Sequence, residues 1–345
     1  MTGYSRQIAA SDSSDNPLVT IVMSVYNAEA CLRCSLESLL GQTYQNLQIV
    51  VINDGSTDGS RQIVDSYKDD RIEFIDRMAN VGLTRSLNQG LAIARGQYIA
   101  RHDADDISVS TRIAEQVAYF QANPKVDILG TGIELFDGRK TLRPVIYHDH
   151  GATFREQLLH FTNPLPHSTL MFRKTILDVL KGYNECFLLA QDYDFLLRAS
   201  EVFTIGSLQR PLVKLRFTHN SLTHADTRQL KFGLASLISA HRRLMGRCDY
   251  SQKQHEEWSR FLQEIDAYIH KYHWARRFTA RTYLRKARFA MRACQPGDCL
   301  TNLFRAVMSD ATCLTRRGIG LEIPRDIQIF LTDDLMCDRG SLQET

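Results

Sequence analysis

Seven consecutive residues, Ala100-Arg101-His102-Asp103-Ala104-Asp105-Asp106, put three carboxylates at the end of an apolar run, Gly96-Gln97-Tyr98-Ile99-Ala100, that reads as a buried strand. Carboxylates this close raise one another's proton affinity, so they stay ionised together when a cation neutralises them. Mg²⁺ or Mn²⁺, held by one or two carboxylates and completed by substrate phosphates, suits such a cluster. The same spacing also describes a solvated acidic turn that ends one strand and caps the next helix. Segments elsewhere in the chain decide between the two.

Asn53-Asp54-Gly55-Ser56-Thr57-Asp58 closes another apolar run. Asp54 stands where a sheet edge can offer a carboxylate to a base or ribose, Gly55 tolerates positive φ, and Ser56 or Thr57 can cap a following helix. Asn80-Val81-Gly82-Leu83-Thr84-Arg85 opens a helix with a glycine turn and sets Arg85 and Asn88 on one helical face. A helix start that carries a cation favours an anion.

The elements that must position these residues follow from periodicity. Leu18 to Val25 is a β-branched run, and Cys31, Leu32, Leu36, Leu39 and Leu40 then recur at helical spacing. Leu47 to Ile52, Ile72 to Ile75 and Gln97 to Ala100 read as strands, with helices near Ser60 to Tyr67 and Leu83 to Ala94 between them. This βαβα alternation predicts a mostly parallel sheet with helices on both faces, whose ligands bind beyond the carboxyl ends of the strands. The loops after Val25, Ile52 and Ala100 converge there. Beyond residue 110, Val126 to Gly132, Leu142 to Tyr147, Ser168 to Phe172, Thr204 to Ser207 and Leu212 to Phe217 read as strands. Phe154 to Phe161, Lys174 to Leu180 and Gln191 to Ser200 read as helices. From Asp226 to Ala293 the pattern is helical.

A chain of 345 residues with 43% hydrophobic and 23% charged residues has material for one large α/β domain and an appendage. The expected divisions are a flexible tail over 1–16, a catalytic α/β domain over 17–222 and a mainly helical region over 223–345. No window reaches the roughly 18 apolar residues of a membrane span, and the polar first 16 residues lack a secretory pattern, so the expectation is a cytoplasmic protein. A net charge of +3 is too small to imply nucleic-acid binding. Among eight cysteines only Cys31 and Cys34 are spaced C-x-x-C, within a helical pattern, which fits packing thiols better than zinc.

In order and spacing, a series of motifs over about residues 17 to 222 resembles the inverting family 2 glycosyltransferases of the GT-A fold. The series is Val25-Tyr26-Asn27, Asn53-Asp54-Gly55-Ser56-Thr57-Asp58, Asn80-x-Gly82-Leu83, Ala94 to Arg101, Asp103-x-Asp105-Asp106, His167-Ser168 and Gln191-Asp192-Tyr193-Asp194. The resemblance implies a metal-dependent enzyme that moves a sugar from a nucleotide-diphosphate donor, a UDP-sugar foremost, to a saccharide or lipid-linked glycan in surface polysaccharide biosynthesis. It implies that Val25, Tyr26, Asn27, Asp54, Asn80, Gly82, Arg85, Asp103, Ala104 and His167 bind the nucleotide-sugar. Asp105, Asp103 and His219 would serve Mn²⁺ or Mg²⁺. Asp192 matches the family's general base, which deprotonates the acceptor hydroxyl as it attacks the anomeric carbon.

Two departures stand out. The family usually has Glu-Asp where this chain has Gln191-Asp192, and Tyr-Arg-x-His where it has Leu215-Arg216-Phe217-Thr218-His219. Eight basic residues between Lys271 and Arg292, with no acidic one and with interleaved aromatics, suit an anionic membrane surface, the inner leaflet on this reading, as well as a solvated helical face. Two other functions share parts of this pattern. A sugar-1-phosphate nucleotidyltransferase would need a Gly-rich, Lys-bearing loop after the first strand, and Tyr26-Asn27-Ala28-Glu29 is not one. A catalytically silent nucleotide-sugar or glycan-binding protein is favoured only by Gln191.

Overall fold

The computed structural model describes residues 16–136, 141–146, 154–216 and 227–271. His219, the expected boundary near residue 223, the tail up to residue 15 and the basic stretch after Lys271 lie outside the described residues. The elements are β1 (Val19–Val25), α1 (Glu29–Leu40), β2 (Leu47–Asp54), α2 (Ser60–Asp65), β3 (Ile72–Arg77), α3 (Leu83–Ile93), β4 (Tyr98–Arg101), β5 (Ile107–Ser108), α4 (Arg112–Ala122), β6 (Ile128–Phe136), β7 (Thr141–Val145), α5 (Phe154–Leu159), β8 (Met171–Arg173), α6 (Leu177–Leu180), α7 (Gln191–Ser200), β9 (Ile205–Arg216), α8 (Thr227–Leu244) and α9 (His255–Lys271).

The strands form one sheet in the order β3-β2-β1-β4-β8-β6-β9-β5, with β7 beside β6. The half built from β3, β2, β1 and β4 is parallel, as the alternation predicts. The other half is mixed: β8 runs antiparallel to both β4 and β6, while β6 and β9 are parallel. Side chains alternate across the central strands. Val22, Val50 and Ile52 join one core with α3, α7, α8 and α9. Ile21, Met23, Ile49 and Val51 join the other with α1, α2 and α4. Strands covered on both faces read as continuous apolar runs, which is why β1 and β2 were legible.

Three local expectations shift. Thr204 to Ser207 and Leu212 to Phe217 are one strand, β9, whose pairing with β6 jumps from Thr131–Leu208 to Gly132–Pro211. Pro211 has no N–H to give the ladder, so the chain bulges there and resumes. Ser168 to Phe172 is divided between a 3₁₀ turn over His167–Thr169 and β8. The segment from Lys174 divides likewise into a 3₁₀ turn and the short α6. The described part of the C-terminal region shares the sheet's core: Leu230 and Phe232 of α8 and Trp258, Phe261, Ile265 and Ile269 of α9 lie in one cluster with Phe172 and Phe195. Trp258 and Phe232 both meet Phe187, in the loop before α7, with ring centroids 5.2 and 6.4 Å away. That loop is therefore held by the C-terminal helices. No helix among the described residues is long and apolar enough to cross a membrane.

Candidate functional site

The carboxyl ends of β2, β1 and β4 lie side by side in the sheet, and charges from the end of β4 reach the start of α7. Val25 is buried at the end of β1, and Tyr26 follows it with about half its surface exposed (51%). Asn27 takes positive φ (48°), a conformation that Asn tolerates. Its backbone N–H donates to Ser56 Oγ at 3.0 Å, and its Oδ1 accepts from the Thr57 N–H at 2.8 Å. Asp58 Oδ2 in turn accepts from the Glu29 N–H, and Glu29 Oε2 from the Gly59 N–H. The loops after β1 and β2 are thus one hydrogen-bonded unit.

Asp54 is committed to a second loop. Its Oδ1 accepts from the Val81 N–H at 3.0 Å and its Oδ2 from the Gly82 N–H at 2.9 Å, while the residue is only 2% exposed. Gly55 lets the loops close to this distance: its φ is +72°, and a Cβ there would stand 2.5 Å from the Ala79 carbonyl carbon and the Asn80 nitrogen. Gly82, at φ +94°, turns the chain into α3, and Asn80 is exposed beside it. Arg85 points toward the 183–190 loop, where its Nε meets Glu185 Oε2 at 3.2 Å. Asn88 holds the same loop through both the N–H and C=O of Tyr183, at 2.8 Å each. Arg85 and Asn88 of α3 thus both reach the 183–190 loop.

The acidic segment after β4 rests on a buried polar platform. His102, Arg112 and Gln116 are fully buried. Arg112 donates to the Arg101 carbonyl, to Ser108 Oγ and to Gln116 Oε1, and burial pulls its pKa down to about 9. Arg112 Nη1 also faces His102 Nδ1 at 3.3 Å, so Nδ1 accepts and Nε2–H points at the Asp106 carbonyl. Burial, with the charges of Arg112 and Arg101, keeps His102 neutral.

Above this platform the three aspartates differ. Asp106 is buried, accepts from the Ser168 hydroxyl and from the Arg216 N–H, and is pushed up to about 7 by burial and by the Asp103 and Asp105 charges. Asp103 pairs with Arg101. Asp105 is partly buried, and Arg216 Nε donates to its backbone carbonyl rather than to its carboxylate. Burial and the Asp103 charge raise the proton affinity of Asp105. Among the described residues no cation pairs with that carboxylate, and no three His, Cys, Asp or Glu side chains gather to hold a metal alone. The donor set fits a cation held by Asp105 and Asp103 and completed by other oxygens. Ala104 packs beneath them, 9% exposed.

Asp192 lies in the first turn of α7. The charges of both Arg101 and Asp103 act on it, Arg101 favouring its ionised form, while burial raises its pKa. The guanidinium of Arg101, itself 3% exposed, also acts on Asp105, His167 and Tyr183. Arg101 is the hub that the motif reading passed over. His167 Nε2 lies 2.8 Å from the Tyr183 hydroxyl, and burial holds this imidazole neutral. Sequence reasoning also missed Asn163, whose Nδ2 donates to Asp192 Oδ2 at 2.9 Å. Asn163-Pro164 signals a turn, but nothing in it announces the partner.

Residues 20–180 match the family described as glycosyl transferase family 2. A relative named "Putative glycosyltransferase EpsE", from Bacillus subtilis (strain 168), is 33% identical over 228 residues, 61% of this chain and 79% of the relative. Two solved structures align over most of their length. S. aureus TarS residues 1–349 in complex with UDP covers 83% of this chain and 90% of that one, with a TM-score of 0.53 and 15% identity. The mannosyltransferase PcManGT from Pyrobaculum calidifontis, in complex with GDP-Man and Mn²⁺, covers 87% and 88%, with a TM-score of 0.53 and 16% identity. At these identities the shared property is the fold, which is GT-A.

Proposed function

Within glycosyl transferase family 2, to which this chain belongs, we propose that it moves a sugar from a nucleotide-diphosphate donor, a UDP-sugar foremost, to a hydroxyl of a saccharide or lipid-linked glycan, with inversion at the anomeric carbon. The observation that carries the reading is that Asp192, in the first turn of α7, lies within the electrostatic reach of Arg101 and Asp103, whose ion pair also neighbours Asp105. A base on one side of a sugar and a diphosphate site on the other are what in-line displacement needs.

Each group has a task. The exposed ring of Tyr26 offers a face to the nucleotide base, and the Asn27–Thr57 unit fixes the loop that carries it. Asp105 with Asp103 would hold Mn²⁺ or Mg²⁺, which supplies neutralisation of the charge growing on the departing diphosphate. Arg101 keeps Asp103 in place and favours the ionised form of Asp192. Asp192 takes the proton of the acceptor hydroxyl as its oxygen bonds to the anomeric carbon.

The melting midpoint of the purified chain, read with UDP, GDP, CMP and ADP and with or without Mn²⁺, tests donor and metal together. A ligand at about 100 times its Kd adds roughly 2.7 kcal/mol, a rise of a few degrees. The expected rise is with UDP, requires Mn²⁺ and is absent from Asp105→Ala. A rise with GDP instead changes the donor class. No rise with any nucleotide removes the reading.

The basic stretch from Lys271 to Arg292 is proposed to rest on an anionic membrane surface, where a lipid-linked acceptor would be found. The intact chain is expected to float with phosphatidylglycerol-containing vesicles, and a variant with Arg276, Arg277, Arg281 and Arg285 changed to Gln is expected to remain in the dense fraction. Equal flotation of the two refutes it.

A further inference from the structure

We propose that Asn163 is the positioning residue for Asp192: its side-chain amide holds Oδ2 of the carboxylate and so turns Oδ1 toward the acceptor hydroxyl. This rests on the reading of Asp192 as the proton acceptor. In that step the hydroxyl proton passes to Oδ1 and the acceptor oxygen bonds to the anomeric carbon. The bond from that carbon to the diphosphate oxygen breaks, and its electron pair leaves with the diphosphate.

The sense of the Asn163 amide is fixed by its surroundings. Its Oδ1 accepts from the Leu165 N–H at 3.2 Å, and a backbone N–H can only donate. The carbonyl end is therefore turned to Leu165 and the NH₂ end to Asp192, where Nδ2 lies 2.9 Å from Oδ2. Leu165 is fully buried and packs against Gly130, so the anchor of the amide is itself immobile.

Both partners are tied to the same scaffold. Phe161, at φ 56°, ends the turn after α5, and the Thr162 N–H closes it on the Gln157 carbonyl at 3.0 Å. The hydroxyl of Tyr193, next to the base, donates to the Leu158 carbonyl of α5, and its ring meets Phe161 edge-on at 5.6 Å. Asn163 and Asp192 thus sit on two segments tied together by Tyr193, next to the base, and by Leu158 and Phe161, five and two residues before Asn163. The charged or titratable groups acting on Asp192 are Arg101, Asp103 and Tyr183, and the backbone N–H groups of Tyr193 and of Asp192 itself also favour its ionised form. Asn163 is the side-chain donor to the carboxylate, at Oδ2.

Titration of Asp192 tests the assignment without any substrate. In protein carrying ¹³C-labelled aspartate, the Asp192 carboxyl resonance is the one missing from Asp192→Asn. A donor to the ionised form is worth about one pH unit, so Asn163→Ala, in the protein that still folds, is expected to move the midpoint of that resonance up by about that much. Asn163→Asp, which sets a second carboxylate beside the first, is expected to move it further up. If Asn163→Ala fails to fold, the Asn163→Asp shift decides. A resonance that titrates as in the wild type in both variants, or in Asn163→Asp alone where Asn163→Ala does not fold, overturns the proposal. Failure of the underlying reading looks different: Asp192→Asn would keep its turnover whatever Asn163 does to the titration.

Discussion

Turnover by Asp192→Asn is expected to fall by about 10²–10⁴-fold, the usual contribution of a positioned general base, while UDP affinity stays at the wild-type value. An amide has nearly the size of the carboxylate but takes no proton, so the change removes chemistry and little else. The rate is read as nucleoside diphosphate released from the donor that raises the melting midpoint. Its pH dependence supplies a second check. Burial holds the Asp192 carboxyl above the usual range, and a base works only when ionised. Wild-type turnover should therefore decline as pH falls through that raised value, at a higher pH than for an ordinary carboxylate. The residual rate of Asp192→Asn should lack this acid limb. A variant within about threefold of wild type would move the proton-accepting role elsewhere, since a positioned general base contributes far more than that.

The sequence spoke most clearly where physics acts locally. The runs of β1 and β2 are apolar because both faces are covered, and the acidic segment after β4 is conspicuous because carboxylates rarely crowd without a cation. The motif series also assigned Asp192 and the Asp103–Asp105 pair to opposite sides of the sugar, a placement that remains part of the proposal. What it could not express were partners distant in the chain. Arg85 looks like an anion contact at a helix start until Glu185, 100 residues on, takes its guanidinium. Thr84 likewise donates to the Phe187 carbonyl, so α3 supports the loop leading to the base. Asn163 carries no periodic or charge signal, and its meaning comes from the fold of the segment after α5 onto α7. The bulge in β9 was read as a gap between two strands, because a window of residues shows Pro211 as a stop and cannot show β6 waiting on the other side.

Asp54 shows how a residue that resembles a ligand contact can be a staple, and the measurement separating the two carries the second large effect. Its buried carboxylate receives the N–H groups of Val81 and Gly82, which find no other acceptor among the described residues. Asp54→Ala would leave both donors unsatisfied at about 1–3 kcal/mol each and is expected to cost about 3–5 kcal/mol in all. In a chain of this size that lowers the melting midpoint of the ligand-free protein by about 5–10 °C. Asp54→Asn keeps one acceptor but turns an NH₂ toward the other N–H, so about half of the loss is expected. A contact that served the nucleotide alone would behave oppositely: the ligand-free midpoint would stay put and only the rise caused by UDP would shrink. The two roles combine if the stapled loop forms a wall of the base pocket, in which case Asp54→Asn lowers the ligand-free midpoint and the UDP-induced rise together. Gly55 belongs to the same staple, because the close approach that its missing Cβ allows brings the Val81 and Gly82 amides within reach of the carboxylate.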